Sequence, residues 1–249
     1  MRLVQLSIGI IGYLTAIASL LALFGFIAGV GPQGGINDGP TVSLGCALAI
    51  DTGLIALFGI HHSGAARRQF KSWFERLFPP ALERSVYLLT TSAIVALIIL
   101  GWHPIPITLW AIVDPVAVTI IRIGFLGVMA MMLLATFQIG HLNFFGLRKP
   151  LDAHLTIRTP PLAFSNRLLY GLVRHPISLG WLLAPWLVAE FTVGQLVFAL
   201  GTAVYIVIVT PLEEADLRRE IGPAYEAYRA KVPGLLPLPK VRKPTSRRS

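Results

Sequence analysis

Charged residues are scarce in this 249-residue chain, and cysteine is nearly absent. Charged residues make up 13% of it, apolar residues make up 55%, and the mean hydropathy is +0.70, whereas about 25% charged residues are usual in a soluble domain. This composition excludes a water-soluble enzyme of this length, and it excludes intrinsic disorder. The one cysteine, Cys46, excludes an internal disulfide and a clustered-cysteine zinc site. Because it lies in an apolar run, we expect a packed thiol.

The apolar residues are gathered into six runs. A bilayer core about 30 Å thick needs roughly 20 apolar residues in a helix, and the first run is too long for a signal-peptide core of about 7–15 residues. The sequence therefore predicts an all-α, polytopic membrane helix bundle with about six transmembrane helices, the fifth unusually short. The runs are Leu3–Gly31, Val42–Ile60, Val86–Leu100, Val116–Ile139, Ile177–Ala189 and Val193–Leu212.

The basic residues indicate how the bundle is oriented. Five of the 21 lie in the second loop, five lie in the fourth, nine follow the last span, and the first and third loops have none. Only Arg122 lies away from the inferred inner side. Because Lys and Arg accumulate in cytoplasmic loops, we expect an inner (cytoplasmic) membrane protein with both termini in the cytoplasm.

Two polar segments are interpreted as membrane-surface elements. Residues Gly64–Phe78 mix basic and aromatic residues and end at Pro79-Pro80, which is typical of an amphipathic helix on the inner leaflet. Residues 238–249 form a basic tail that we expect to be disordered and attracted to anionic lipid, after a single membrane domain over residues 1–237. We therefore assign the net charge of +9 to lipid contact and expect no nucleic-acid partner.

Charged motifs stand on both sides of the last helical hairpin. Arg174-His175-Pro176 precedes it, and Glu213-Glu214 follows it. With a rise of 1.5 Å per residue, the two motifs lie about 24 Å and 32 Å from the turn, so they return to nearly the same depth. An arginine and an imidazole opposite two carboxylates, with free N–H groups at the helix start, suit a zwitterionic ligand. The alternative is that these residues are only helix-end anchors and caps.

The chain continues beyond Glu214 as a cytoplasmic C-terminal helix that bends near Gly222-Pro223. Apolar and aromatic residues recur on one side of it, including Tyr225 and Tyr228. This stripe either docks the helix on the bundle or forms the lid of an adenine pocket.

These motifs together resemble a known group of membrane enzymes. The order Arg-His-Pro, Gly180, Glu-Glu-x-x-Leu, Gly222, Tyr225, Tyr228, Val-Pro and Leu-Pro is similar to that of the isoprenylcysteine carboxyl methyltransferase-like membrane methyltransferases over residues 170–237. The resemblance implies an S-adenosylmethionine site made from the hairpin ends and the tail helix, and a substrate that enters from the lipid side. The cofactor-binding residues it implies are Arg174, His175, Pro176, Gly180, Glu213, Glu214, Tyr225 and Tyr228.

Upstream motifs resemble the NnrU-related branch of that group. They include His62-Ser63, the run from Pro79-Pro80 to Tyr87, and His141-x-x-x-Phe-Gly-Leu-Arg. Within the branch the chain is similar to the methanethiol S-methyltransferases from about residue 55 to 237. This resemblance implies that a small thiol, methanethiol, is methylated to dimethyl sulfide. Ser178 stands where the family commonly has Tyr.

A thiol substrate needs a base, because a free thiol has a pKa of about 8.5 or above and few molecules are ionised at neutral pH. His62 and His141 stand at the inner ends of the second and fourth spans, and an unperturbed histidine pKa near 6.5 suits a cytosolic base. Arg84, with Glu83, either orients one imidazole or forms an ordinary surface pair with that carboxylate. Asp51, inside the second span, has no basic partner in the sequence, and we expect it to hydrogen-bond within the bundle in protonated form.

Other functions fit parts of the pattern. One is methylation of a prenylcysteine or another lipophilic substrate, and another is a haem protein of the carotenoid-isomerase kind, with His61, His62 and His141 as candidate axial ligands. A structural scaffold without catalysis is the third. No glycine-rich loop follows a strand, which excludes a soluble Rossmann-type methyltransferase, and we expect no metal site. The sequence does not indicate an oligomeric state.

Overall fold

Helices account for most of the chain in the computed structural model, which describes residues 1–32, 34–65, 67–157, 159–160 and 166–238. Short 3-10 turns cover Pro80–Leu82 and Ala184–Trp186, and two short strands are β1 (Thr108–Ala111) and β2 (Glu190–Thr192). The helices in this part of the chain are α1 (Arg2–Ile27), α2 (Leu44–Ala65), α3 (Arg68–Leu77), α4 (Glu83–Gly101), α5 (Pro115–Gln138), α6 (His141–Phe144), α7 (Arg148–Leu155), α8 (Leu169–Leu172), α9 (Pro176–Leu183), α10 (Val193–Ile221) and α11 (Pro223–Lys231).

Five of these helices are long and apolar enough to cross a membrane: α1, α2, α4, α5 and α10. Their outward side chains are large and apolar, for example Leu14, Ile120 and Val207, as lipid-facing residues of a bundle are. The prediction of an all-α, polytopic membrane bundle is confirmed.

The fifth predicted span is not a complete helix. It consists of α9, the 3-10 turn and three irregular residues before β2, which together reach at most about 28 Å even if those three residues were fully extended. Pro185 interrupts the helical bonding because it has no N–H group, and its carbonyl accepts a bond of 2.9 Å from the buried Gln195 side chain on α10. An irregular backbone is tolerated at membrane depth when protein covers it and satisfies its polar groups.

The two ends of the bundle are held by different contacts. At one end, called here the cap end, β1 pairs antiparallel with β2, and Thr192 donates to Asn37 at 2.6 Å. At the opposite end, the tail end, Arg2 donates to Thr156 at 2.7 Å, and Arg67 of the α2–α3 loop pairs with Asp216 of α10 at 3.1 Å. The N-terminus and α11 therefore lie at the same end of the bundle, as the distribution of basic residues predicts.

Two expectations about α2 have different outcomes. Asp51 is fully buried and accepts a 2.9 Å bond from the backbone N–H of His103, so the predicted hydrogen bond within the bundle is confirmed, and it ties α2 to the cap end. The expectation of a packed thiol was wrong: Cys46 is exposed. Its side chain lies on the outward face of α2, where lipid can replace the protein contacts that the apolar run suggested.

The tail end differs from prediction at two helix boundaries. The sixth span does not stop at Leu212, because α10 continues through Pro211 to Ile221 and ends at Gly222, whose φ is +70°. Glu213 and Glu214 therefore lie inside a helix and cap none. The predicted amphipathic segment is reduced to α3 because α2 extends to Ala65, and its Phe74 is buried. Residues 239–249 of the predicted basic tail lie outside the described residues.

Candidate functional site

The two predicted ionic motifs meet at the tail end of the bundle. Arg174, which precedes α9, donates through Nε to Oε1 of Glu214 on α10 at 2.8 Å, and its Nη2 donates to the same oxygen. Both side chains are almost fully buried, with 9% and 7% of their surfaces exposed. The hairpin of α9 and α10 therefore returns its charged ends to one depth, as the rise per residue predicts.

The same ion pair holds the segment that follows α11. Arg174 Nη1 donates to the carbonyl of Val232 at 2.5 Å, and the Arg174 backbone N–H donates to the carbonyl of Pro233 at 2.9 Å. The second oxygen of Glu214 accepts from Arg229 Nε at 3.1 Å. Arg174 and Glu214 are thus saturated by protein partners, and we name this set of residues, Arg174, Glu214, Arg229 and Val232, the tail clasp.

His175 links the tail clasp to Glu213. Its Nε2 lies 3.3 Å from Oε1 of Glu214, and its Nδ1 lies 3.7 Å from Oε2 of Glu213. Burial lowers the pKa of His175, although the hydrogen bond and the charge of Glu214 act in the opposite direction. Pro176 is the first residue of α9, and Gly180 is buried against Met132, where α9 packs on α5. The structure thus brings His175 to the carboxylates but places Gly180 in a helix contact.

Tyr225 and Tyr228 attach α11 to the bundle. Tyr225 is 1% exposed, and its ring lies 5.9 Å from that of Tyr228. Burial raises the pKa of Tyr228 to about 12, so its hydroxyl is protonated and donates to the carbonyl of Tyr170 at 2.6 Å. These contacts agree with the interpretation that the aromatic stripe docks α11 on the bundle.

Glu213 is the carboxylate of the pair that remains accessible. Its side chain is 46% exposed, against 7% for Glu214. It interacts electrostatically with Arg67 and with the hydroxyls of Tyr87 and Tyr205. Glu213 thus stands between the predicted cofactor residues and the second group of predicted residues.

That second group is centred on Tyr87 of α4. Its hydroxyl lies 2.8 Å from Nδ1 and 3.0 Å from Nε2 of His62 on α2. The guanidinium of Arg84 lies over the Tyr87 ring, 4.8 Å from its centroid, and Nε of Arg84 donates to the carbonyl of Phe144 at 3.0 Å. A guanidinium above an aromatic face is held by a cation–π interaction. Arg84 therefore positions Tyr87, and Tyr87 contacts the candidate base His62.

His141 is engaged by hydroxyl groups on both sides. Thr136 donates to the carbonyl of Leu133 and lies 2.7 Å from Nδ1 of His141, while the Tyr13 hydroxyl lies 3.0 Å from Nε2. Because the Thr136 proton is already donated, its oxygen accepts from Nδ1, and Nε2 accepts from Tyr13. Among the described contacts none joins His141 to His62 or His175, so the three predicted histidines do not form one cluster.

The half-buried position of His141 leads to a prediction about acid stability. Burial lowers the pKa of His141 below the ordinary value of about 6.5. Its stabilising contribution is therefore present above pH 6.5 and is lost as the pH falls below that value, since the unfolded chain binds the proton more tightly. We expect thermal unfolding in detergent to show a smaller stability loss between pH 7.5 and 5 for His141→Gln than for the native chain.

Exposed His154 supplies the matched control for this measurement. His154→Gln should retain the native dependence on pH. If His141→Gln loses as much stability on acidification as the native chain does, another group is responsible for the acid sensitivity.

Several known proteins that are similar to this chain are named methanethiol S-methyltransferase. A methanethiol S-methyltransferase from Pseudomonas sp. (strain GM41(2012)) is 39% identical to this chain over 226 residues, which are 90% of this chain and 86% of that protein. One from Crocosphaera subtropica is 38% identical, covering 92% and 90%. The chain belongs to the methanethiol S-methyltransferase family. Nurim from Sus scrofa is also similar, at 30% identity over 69% of this chain and 68% of that protein.

No protein-family model and no solved structure matches the chain. The family membership of this methanethiol S-methyltransferase homologue therefore depends on sequence identity along nearly its whole length. The resemblance inferred from the motifs is confirmed by these relatives.

Sequence reasoning missed several members of the site in this methanethiol S-methyltransferase homologue. Tyr205 precedes Glu213 by two helical turns, a spacing that places both on one side of α10, so the sequence carried a signal for it. Tyr13, which contacts His141, lies in the first span and carries no motif. The backbone carbonyl of Val232 has no sequence signal, because any residue supplies one.

Proposed function

We propose that this chain is an S-adenosylmethionine-dependent membrane methyltransferase that converts methanethiol to dimethyl sulfide. The observation that carries the proposal is the 39% identity, along 90% of the chain, to a protein named methanethiol S-methyltransferase. The meeting of Arg174, His175, Glu213 and Glu214 at the tail end supports it.

The donor set at the tail end fits the amino-acid part of S-adenosylmethionine. An ammonium group needs an accessible carboxylate, and Glu213 is accessible. The tail clasp is saturated by its own partners, so we assign Arg174 and Glu214 a positioning role: they hold the α11 segment and fix His175 beside Glu213. Pro176, Tyr225 and Tyr228 support the same side of the site, and Gly180 allows α9 to pack closely on α5.

The donor, when bound, supplies a methyl group on a positively charged sulfur. The chain's own residues then have two tasks. His62 accepts the proton of the thiol, because a neutral imidazole can act as a general base, and Tyr87 and Arg84 hold that imidazole in place. The apolar surroundings exclude water, so the opposite charges of thiolate and sulfonium are not screened and their neutralisation favours the transfer.

The position of the site also suggests its place in the cell. If the tail end faces the cytoplasm, the site draws its donor from the cytosol, while a small apolar thiol reaches it through the lipid. The excess of basic residues at the tail end supports an inner-membrane protein with both termini cytoplasmic, and residues 1–237 then form one membrane domain.

A direct assay tests the proposal. The purified protein in detergent is incubated with methanethiol and methyl-labelled S-adenosylmethionine, and labelled dimethyl sulfide is measured in the headspace. We expect transfer to methanethiol and none to a prenylcysteine analogue. Binding of the donor without transfer to methanethiol would contradict the thiol substrate, and a haem absorption band in the purified protein would favour the haem alternative.

A further inference from the structure

An aromatic cluster lies deeper in the bundle than Glu213, where α2, α4 and α10 meet. Phe58 and His62 stack with ring centroids 5.1 Å apart, and the Tyr205 ring stands edge-on to both, at 5.8 Å and 6.2 Å. Tyr87 completes the cluster, 5.4 Å from His62. We call Phe58, His62, Tyr87 and Tyr205 the aromatic cluster.

The place of Tyr205 depends on a close helix approach. A Cβ atom added to Gly59 would lie 2.9 Å from Cδ2 of Tyr205, which is closer than such atoms come in folded proteins. Gly59 thus lets the Tyr205 ring lie against the backbone of α2. Any side chain at residue 59 would displace the ring, although the chemical composition of the cluster would stay the same.

The cluster is joined electrostatically to the accessible carboxylate. Glu213 interacts with the hydroxyls of Tyr87 and Tyr205, and it lies two helical turns from Tyr205 towards the tail end. A ligand whose ammonium group meets Glu213 and whose next groups run along α10 away from the tail end would bring those groups to the aromatic rings. In S-adenosylmethionine the sulfonium sulfur follows the ammonium-bearing carbon by only a few bonds.

We propose that the aromatic cluster holds the sulfonium methyl group of S-adenosylmethionine and distinguishes it from the neutral product. This inference rests on the proposed function and deepens it by assigning the reaction centre. The faces of aromatic rings attract organic cations, and hydroxyl oxygens accept the weakly acidic hydrogens of a methyl group bound to positive sulfur. The same groups attract an uncharged thioether only weakly, so the product is released more readily than the donor.

The cluster also places the base beside the transferred group. In the transfer step the thiol gives its proton to His62, and a bond forms between the thiolate sulfur and the methyl carbon. The bond from that carbon to the sulfonium sulfur breaks, and its electron pair stays on the departing sulfur, which becomes a neutral thioether. Charge is lost on both sides of the reacting carbon, within reach of Tyr87 and Tyr205.

The test measures binding, separately from catalysis. Isothermal titration of the purified protein with S-adenosylmethionine and with S-adenosylhomocysteine gives the ratio of their dissociation constants. We expect Tyr205→Leu to raise the dissociation constant of S-adenosylmethionine by about 5-fold, which corresponds to one lost cation–π contact. The affinity for S-adenosylhomocysteine should change little. Tyr205→Phe keeps the ring and should keep most of the preference.

Two glycine variants make a matched pair on α2. Gly59→Ala displaces the Tyr205 ring and should reduce the preference for the charged ligand, whereas nothing lies within 4 Å of a Cβ added to Gly53, so Gly53→Ala should bind both ligands as the native chain does. If Tyr205→Leu fails to fold, Gly59→Ala decides the question. An unchanged ratio in a folded variant would overturn the aromatic site. Failure of the native chain to bind either ligand would instead overturn the proposed function.

Discussion

Glu214→Ala is expected to lower the free energy of unfolding by about 3–5 kcal/mol, because it leaves the buried guanidinium of Arg174 without its carboxylate. Both side chains are less than a tenth exposed, and Glu214 also binds Arg229 and His175. The loss should appear as a fall in the thermal unfolding temperature of roughly 10 °C. It should also expose the segment after α11 to protease, because Arg174 holds the carbonyl of Val232.

An exposed carboxylate on α11 supplies the control. Glu226 pairs with Arg218 at 3.2 Å and with Arg229 at 3.7 Å, but its side chain is 53% exposed, and such surface pairs contribute about 0–1 kcal/mol. Glu226→Ala should therefore unfold close to the native temperature and resist protease as before. If Glu214→Ala and Glu226→Ala cannot be distinguished by either measurement, the tail clasp does not stabilise the fold.

The positions of the charged residues at the tail end were predictable, because charged residues are rare beside membrane-spanning runs. Arg174 and Glu214 stand beside long apolar runs, and the constant rise of a helix is enough to place them at one depth. Their bonding was not predictable. Whether Glu214 meets a ligand or Arg174 depends on how the chain returns after α11, and the carbonyls that accept hydrogen bonds from Arg174 belong to residues 229–234.

The helix boundaries, too, were predictable from the sequence only in part. Apolar runs located α1, α4 and α5 to within a few residues, since lipid-facing helices are apolar all round. Hydropathy could not show that α10 continues through Pro211, because the helix there leaves the apolar run and is stabilised by the packing of polar residues such as Glu214. It also could not show that Gln195 satisfies the carbonyl of Pro185, which allows the fifth segment to be irregular.

The predicted convergence of three histidines illustrates why topology alone does not make a site. All three stand at the tail ends of spans, yet each has its own partner: Tyr87 for His62, Tyr13 and Thr136 for His141, and the two glutamates for His175. Span ends on different sides of a bundle share a depth without being in contact. Only His62 lies in the aromatic cluster next to Glu213, which makes it the candidate base.

His62→Ala is accordingly expected to reduce the rate of thiol methylation by about 100-fold at pH 7, the lower part of the range for loss of a general base. The affinity for S-adenosylmethionine should change much less, because Glu213 and the tyrosines remain. The defect should shrink as the pH rises towards the pKa of the thiol, since the thiolate then forms without a base. Initial rates between pH 6.5 and 9.5, with titration of the donor, measure both effects.

The neighbouring His61 is the matched control, because its Nε2 lies 3.1 Å from the Thr90 hydroxyl and its ring only stacks on Tyr87, with the centroids 6.1 Å apart. His61→Ala should keep the native rate to within a few-fold at every pH. A His62→Ala variant whose deficit is the same at pH 6.5 and 9.5 would show that the imidazole acts in packing the aromatic cluster. Proton transfer would then need another acceptor, and Glu213 would be the first to examine, because it is the accessible carboxylate nearest to Tyr87 and His175 in the described contacts.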